Sequence, residues 1–347
     1  MASYATAVVS FFMATSIAAA QSPDKLPGDP DPIKVTVENF VRAKTALQFD
    51  KYLARAGGMN QFGHSRSVVG VNSRSSKRLN RDTLYSVAIV DISQGATVFM
   101  PDAGDRYMSL QVVNQDLYTN RVYHGGGSYD LTVEEFHTPF VWLLVRTLVF
   151  ESIQGDVEAV HTLQDEMRIT SASDRTFTHP DYDPVSFKAT EKLLVELGKG
   201  LSNSRKTAGP REAVDPIKHL LAAAYGFGGL PESESYLINV QPDLQSDKAY
   251  SLTVRDVPVD GFWSLAVYDR DGYFRENEYG SYGFGDRTAE KNLDGSITLH
   301  FGGDPENTNF IPITDGWNYV VRLYQPRQEI LDGTWKFPDV REVSDDG

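Results

Sequence analysis

The sequence predicts a mainly β protein with a helical insertion, and three observations lead there. Short apolar or alternating runs bounded by Gly, Pro and Asp fill residues 84–149 and return after Leu230. Four Asp-Gly pairs, Asp260-Gly261, Asp271-Gly272, Asp294-Gly295 and Asp315-Gly316, punctuate the second of these regions. Helical periodicity is confined to a stretch near the N-terminus and to residues 156–226. At 347 residues the chain exceeds what one core usually supports, so two or three domains are expected.

In chain order, Met1 to Ala20 carries no charged side chain, and its apolar stretch ends in Ala18-Ala19-Ala20. This reads as a secretory signal peptide cut after Ala20, although the usual basic residue near its start is missing. The alternative, a membrane anchor, is disfavoured by Thr15-Ser16 and the early small-residue end. Residues 21–34 are a polar, Pro-rich linker. A first domain is expected over 35–150. It opens with a helix within Thr36 to Ala56, where Phe40, Ala43, Leu47 and Leu53 recur near helical spacing and Gly57-Gly58 supplies the stop. Strands follow at Tyr85 to Val90 and Met108 to Val112, making a β-sandwich candidate. Thr132 and Glu135 form a capping box for a short helix at Val133 to Phe136, and the apolar run Phe140 to Val149 reads as a buried strand.

Residues 151–235 are expected to form a helical module. Val157, Val160, Leu163 and Met167 share one face, and Phe187 to Leu197 another. Asp215-Pro216 is an N-cap followed by proline at the first helical position, so a helix over Ile217 to Tyr225 is expected, stopping at Gly226. A second β domain is expected over 236–340, with strands at Tyr250 to Val254, Phe262 to Tyr268, Ser296 to Phe301 and Asn318 to Tyr324. Hairpins at the Asp-Gly pairs would make this an antiparallel sandwich or jelly roll. Residues 341–347 are an acidic, solvated tail.

Composition excludes several classes of function. Acidic residues outnumber basic ones, 47 to 33, for a formal charge of -14, which opposes nucleic acid and anionic membranes. There is no cysteine, so disulfides, thiol catalysis and Cys-ligated metal are absent from the chemistry. There is no G-x-S-x-G; Gly63-His64-Ser65-Arg66-Ser67 has serine where the last glycine belongs. There is no phosphate-binding loop and no H-E-x-x-H, and the seven histidines are scattered, so no metal ligands are assigned and no cofactor is called for.

Two strings concentrate polar groups beside strands: Asn80-Arg81-Asp82-Thr83-Leu84-Tyr85 and Asn114-Gln115-Asp116 through Arg121-Val122-Tyr123-His124. Such sets can hold an anionic substrate by a bidentate arginine while a carboxylate or imidazole moves a proton. They can equally be buried networks that lock a domain corner. Arg106 and Arg322 stand in apolar strands, either half-buried against a partner or facing a cavity. Trp263, Tyr268, Tyr273 and Trp317 could form an aromatic platform, but aromatics on strands are usually core.

These strings carry a family resemblance. Asn80 to Ser86, Tyr107-Met108-Ser109, Val113 to Asp116 and Leu131 to Phe136 resemble the domain of unknown function 1254. Asp260 to Ser264, Tyr268 to Tyr273, Val321 to Tyr324 and Ile330 to Trp335 resemble the domain of unknown function 1214. The resemblance implies an N-terminal immunoglobulin-like sandwich, a small α-helical module and a C-terminal jelly roll. It carries over no catalytic residue. Members are often longer, so the middle of this chain looks shortened.

The functional expectation is an exported enzyme, secreted or periplasmic, acting on a small polar or anionic molecule held between two β domains. Asp82, Asp116 and His124 are the acid–base candidates, and Asn80, Arg81, Tyr85, Arg121, Trp263 and Arg322 the substrate-binding candidates. A small molecule is the expected partner, nucleic acid and (after signal cleavage) membrane are not, and a homo-oligomer is compatible with the reading. The competing expectation is a non-catalytic exported protein that binds a glycan or assembles with other subunits.

Overall fold

The structure, a computed structural model, describes residues 31–201, 203–226 and 228–343. The expected signal peptide, most of the linker and the last four residues of the tail lie outside them. The described chain is mainly β, in four sheets with a few helices. Its first part runs α1 (Phe40–Ala56), β1 (Gly63–His64), β2 (Thr83–Asp91), β3 (Ala96–Met100), β4 (Met108–Asn114), β5 (Thr119–His124), β6 (Gly127–Leu131), α2 (Val133–Phe136) and β7 (Phe140–Leu148). Then come α3 (Asp156–Glu166), β8 (Arg168–Ser171), α4 (Pro184–Gly198) and α5 (Pro216–Tyr225).

Strands β1-β2-β7-β4-β5 form one antiparallel sheet in that order, and β6-β3-β8 a smaller one. Both β2 and β7 are buried along all nine residues, because the sheet is covered on both faces. Tyr85, Val87, Ile89, Trp142 and Leu144 point to one side, where they pack with Phe40, Phe49 and Tyr52 of α1, Leu194 of α4 and Leu221 of α5. Val90, Leu110, Val112, Val141, Leu143 and Val145 point to the other, where they meet Val98, Met100 and Leu131 of the small sheet. Each such fully buried side chain stabilises the fold by roughly 1.5–3 kcal/mol.

The stretch 151–235 therefore does not stand as a separate module. Helices α4 and α5 share the core of the five-stranded sheet, and β8 completes the small sheet beside β3. An apolar helix face is buried only against another element, and here Leu194 of α4 and Leu221 of α5 supply it. The linker also ends earlier than expected, since Ile33 pairs with Tyr182 by way of Asp181 and Asp183. Local end signals act as read: Asp215 caps α5 by accepting from the amides of Ile217 (2.9 Å) and Lys218 (3.0 Å). Thr132 caps α2 through the Glu135 amide, and Gly57 closes α1 at φ 80°.

The second part comprises β9 (Ser235–Val240), β10 (Tyr250–Val254), β11 (Trp263–Tyr268), β12 (Gly283–Gly285), β13 (Ile297–Phe301), β14 (Phe310–Ile311), β15 (Asn318–Tyr324), α6 (Gln328–Leu331) and β16 (Arg341–Glu342). One sheet has the order β12-β11-β15-β9, the other β14-β13-β10-β16, with β13 and β14 parallel and the other pairs antiparallel. Trp263, Leu265, Val321 and Leu323 of the first meet Leu252, Leu299 and Phe301 of the second in a common core. The Asp-Gly pairs do not close tight hairpins. Those at 260–261, 294–295 and 315–316 lie on links that cross from one sheet to the other, while 271–272 lies on the long link from β11 to β12. Glu342, expected in a solvated tail, pairs with Tyr250 on the free edge of β10.

Alternation along β15 and β11 sets the relation of the two halves. With Val321 and Leu323 in the core shared by the two sheets, Val320, Arg322 and Tyr324 face the other way, as do Ser264 and Tyr268 of β11. They meet Val69, Leu79, Tyr107 and Leu148 of the first half. No helix among the described residues is long and apolar enough to cross a membrane.

Candidate functional site between the two β halves

Asn80 positions the segment that enters this seam. It is 1% exposed; its Oδ1 accepts from the Asp82 amide at 2.9 Å, and its Nδ2 donates to Tyr324 Oη at 2.8 Å and Tyr85 Oη at 3.3 Å. One side chain thus fixes the turn before β2 and ties it to β15. Burial pushes the Tyr85 and Tyr107 phenols up to about 12 and Tyr324 well above its usual value, so all three are neutral hydrogen-bonding groups at physiological pH.

Asp82 follows directly. Ser264 Oγ of β11 donates to its Oδ2 at 2.6 Å. Burial raises the Asp82 carboxyl above its ordinary value, and the opposing pull of Arg322 and the Ser264 hydrogen bond offsets this only in part. Arg322 is the cross-strand partner of Ser264 and is 1% exposed. Its Nη2 donates to the carbonyls of Arg78 (2.9 Å) and Leu79 (3.2 Å) and to Tyr268 Oη (2.8 Å).

Asp82 lines a cavity of about 200 Å³ together with Arg81, Glu151, Trp263, Ser264 and Asp286. Arg81 pairs with Glu151 and donates to the Val69 carbonyl, and its guanidinium lies 5.7 Å from the Tyr282 ring. Asp286 accepts from the Trp263 amide at 3.1 Å; burial raises its carboxyl too, against that hydrogen bond and nearby Arg287. Two carboxyls with raised affinity for a proton thus line one cavity together with Arg81 and Arg287. Carboxyls raised in this way are candidates for taking and returning a proton.

The structure brings together Asn80, Arg81, Asp82, Tyr85, Trp263 and Arg322, but not the second string. Asp116 is half-exposed and pairs with Arg42 of α1 at 3.0 Å. Arg121 is exposed and pairs with Glu135 at 2.7 Å. His124 bonds Glu234 at 2.7 Å and packs beside Tyr107. None of the three lines the cavity, because β5 is the far edge strand of its sheet. Trp263, Tyr268 and Trp317 are core residues, which leaves no exposed platform among those three, and Tyr273 stacks with Arg74. Arg106 is accounted for by a two-pronged ion pair with Asp156 at 2.5 and 3.0 Å.

Two functional positions escaped the sequence reading. Asp286 carries no signal beyond the flanking Gly283 and Gly285. Arg146 had one: it is the sole charge in the buried run Phe140 to Val149, and it is 4% exposed. Among the described residues no group of three or more His, Asp or Glu is placed to hold a metal ion.

Comparison with known proteins gives relatives without an assigned activity. Residues 59–134 match the family model described as DUF1254, and residues 239–328 the one described as Protein of unknown function (DUF1214). The structure is similar to that of the VPA0106 protein from Vibrio parahaemolyticus, with TM-score 0.67 and 17% identity over 89% of this chain and 98% of that one. It is also similar to a putative uncharacterized protein from Burkholderia cenocepacia, with TM-score 0.53 and 17% identity over 88% and 87% of the two chains. A search of curated proteins finds no match. At these identities the likeness concerns the fold alone.

Proposed function

We propose that this chain, which belongs to the family joining the domains of unknown function 1254 and 1214, is an exported enzyme acting on a small polar or anionic molecule. The substrate sits between the two β halves, and Asp82 moves the proton. In this reading the first half is an immunoglobulin-like sandwich and the second a jelly roll, both common scaffolds for sites at their junctions. Export rests on the uncharged, apolar Met1 to Ala20.

The observation that carries the proposal is the Asp82 carboxyl: half-buried, raised in its proton affinity, held by Ser264, and facing a cavity of about 200 Å³ that also holds Arg81. A carboxyl kept only as a structural lock would be expected to accept several backbone amides, whereas the described bond to Asp82 comes from one hydroxyl. Arg81 would fix an anionic group of the substrate. Asp286 would serve as the second proton-transfer group.

The test starts with a thermal-shift screen of small acids, sugars and aromatic metabolites, since binding to the folded state raises the melting temperature whatever the reaction. A compound that stabilises the protein is then assayed for turnover. Asp82→Asn is expected to keep binding it and to lose about 10²–10⁴-fold in rate. An Asp82→Asn protein that turns the compound over at the wild-type rate ends the proposal.

The competing reading, a non-catalytic assembly protein, draws on Val185, Leu193 and Leu197 of α4 and Ile217 of α5, all more than half exposed. Light scattering decides it. An oligomer that dissociates on Leu193→Glu and Leu197→Glu supports assembly through this face.

A further inference from the structure

A second cavity lies at the same seam, on the side of β15 nearer β9. It measures about 80 Å³ and is lined by Arg146 of β7, Arg322 and Tyr324 of β15, Gly228 and Gly229 after α5, and Glu232, whose carboxylate is held by Arg205 at 2.9 Å. Two guanidiniums face it from opposite halves of the protein, 4% and 1% exposed. Arg146 donates to Gln111 Oε1 at 2.8 Å and to the Gly228 carbonyl at 2.9 Å, and Arg322 to carbonyls and a phenol. All of these are neutral acceptors. Asp82 acts on Arg322 through space, without an ion-pair contact. Moreover, Arg322 Nη1 is buried and has no hydrogen-bond partner among the described residues. A buried guanidinium with an idle donor is costly unless an anion completes it.

The neighbouring space identifies the rest of the ligand. A larger cavity of about 480 Å³ shares Ser204, Arg205, Tyr236 and Leu237 with the small one, so the two adjoin. Its further lining includes Ile238, Ile330, Trp335 and Phe337 along the β9 edge of the second β half, together with Asn239, Lys336 and Asp339. Arg205 at the junction is already paired with Glu232 at 2.9 Å. A charged head site of two to three water volumes thus lies beside a roomy, mostly apolar chamber.

We infer that the Arg146–Arg322 cavity binds the carboxylate of an amphipathic monocarboxylic acid, whose hydrocarbon body occupies the adjoining chamber. The planar forks of two arginines match a carboxylate in geometry and charge. On a chain of net charge -14 an anion needs such a local site to bind at all. This site is separate from the Asp82 cavity and does not rest on the proposed reaction there.

The test is calorimetric titration of the purified protein with butanoate, hexanoate, octanoate, 1-octanol and inorganic phosphate. Affinity is expected to rise about fourfold for each methylene added, the worth of a buried CH₂, with octanol binding at least tenfold more weakly than octanoate. Octanoate at 100 times its dissociation constant should raise the melting temperature by about 5 °C. Arg146→Gln should weaken octanoate at least tenfold. Ser204→Trp, a partly exposed loop substitution at the junction, should weaken octanoate while leaving butanoate and the melting temperature of the free protein unchanged. If Arg146→Gln does not fold, Ser204→Trp decides alone. Affinity independent of chain length, equal binding of octanol, tighter binding of phosphate than of octanoate, or no binding of any acid would each overturn the inference. Asp82→Asn, which removes a negative charge near Arg322, should bind octanoate at least as tightly as wild type does, so failure here and failure of the proposed reaction are read separately.

Discussion

Arg322 and Asp82 provide the sharpest test of how the seam is built, through the variants Arg322→Met, Asp82→Asn and their combination. Methionine keeps much of the length of arginine and removes the charge and donors. The carbonyl of Arg78 then loses its partner in a site 1% exposed, whereas the Leu79 carbonyl keeps the Tyr268 hydroxyl as its donor at 2.7 Å. An orphaned buried polar group costs about 1–3 kcal/mol. Taking this for the Arg78 carbonyl, and adding the lost counter-charge of Asp82, Arg322→Met should destabilise by about 2–4 kcal/mol. Asp82→Asn is expected to be nearly neutral, within about 1 kcal/mol, because it removes a carboxyl whose charged form burial disfavours and keeps an acceptor for Ser264. The double variant should fall short of the sum by about 1–2 kcal/mol, since the second change no longer leaves an opposite charge unpaired. Urea unfolding at constant m-value measures all three. Agreement with the sum to within about 0.5 kcal/mol would refute the coupling, and with it the idea that Arg322 tunes Asp82. The pH trend gives a second check. The folded-state value of Asp82 lies above the unfolded one of roughly 3.9, so its contribution to stability is full below about pH 4 and is lost as pH rises through the folded value. Asp82→Asn should remove that loss.

Other outcomes follow from single sites. Asp91 is fully buried; burial alone would raise its carboxyl, but hydrogen bonds from Arg175, Ser173 and Ser93 hold it well below the usual range, so its stabilisation is present above about pH 4 and lost as pH falls through the folded value. Asp91→Asn should cost about 2–3 kcal/mol at neutral pH and flatten the acid limb of the stability curve, and an unchanged acid limb would contradict this. His64 is lowered to about 4 by burial and by Arg66, so its neutral form is the folded one, and stability is lost as pH falls from about 6.5 toward 4. His64→Gln should abolish the dependence in that window only, as read from urea midpoints at several pH values. In β12, a Cβ on Gly283 or Gly285 would stand 2.1 Å from the Leu265 carbonyl or 2.2 Å from that of Trp263. Either Gly→Ala change should therefore cost about 2–3 kcal/mol by prying β12 from β11, and thermal melts within 1 °C of wild type would show that the strand gives way freely.

Legibility in this sequence followed burial rather than element type. Strands β2, β7 and β15 were readable because both their faces are covered, which forces continuous apolar runs into the sequence. Strand β12 was not, for three residues with two glycines carry neither period nor propensity. The Asp-Gly pairs were seen, but as hairpins; local turn chemistry does not say whether the next strand joins the same sheet or the facing one. The site divides along the same line. Asn80, Asp82 and Arg322 were found because polar groups beside apolar strands stand out, and the structure joins them across 240 residues of chain through contacts such as Arg322 to Arg78. Asp116 and Arg121 look the same in sequence, yet the edge position of β5 leaves them outside the cavity, each paired with a neighbouring side chain. For Asp116 and Arg121 the difference lies in sheet order, whereas His124 at the end of β5 does reach Glu234 and Tyr107 at the seam without lining the cavity. Arg146 makes the point in reverse. A lone charge in a nine-residue buried strand has to be answered by something, and here the answering groups among the described residues are neutral. Such a charge belongs among site candidates on sequence alone, ahead of denser clusters whose members can satisfy one another.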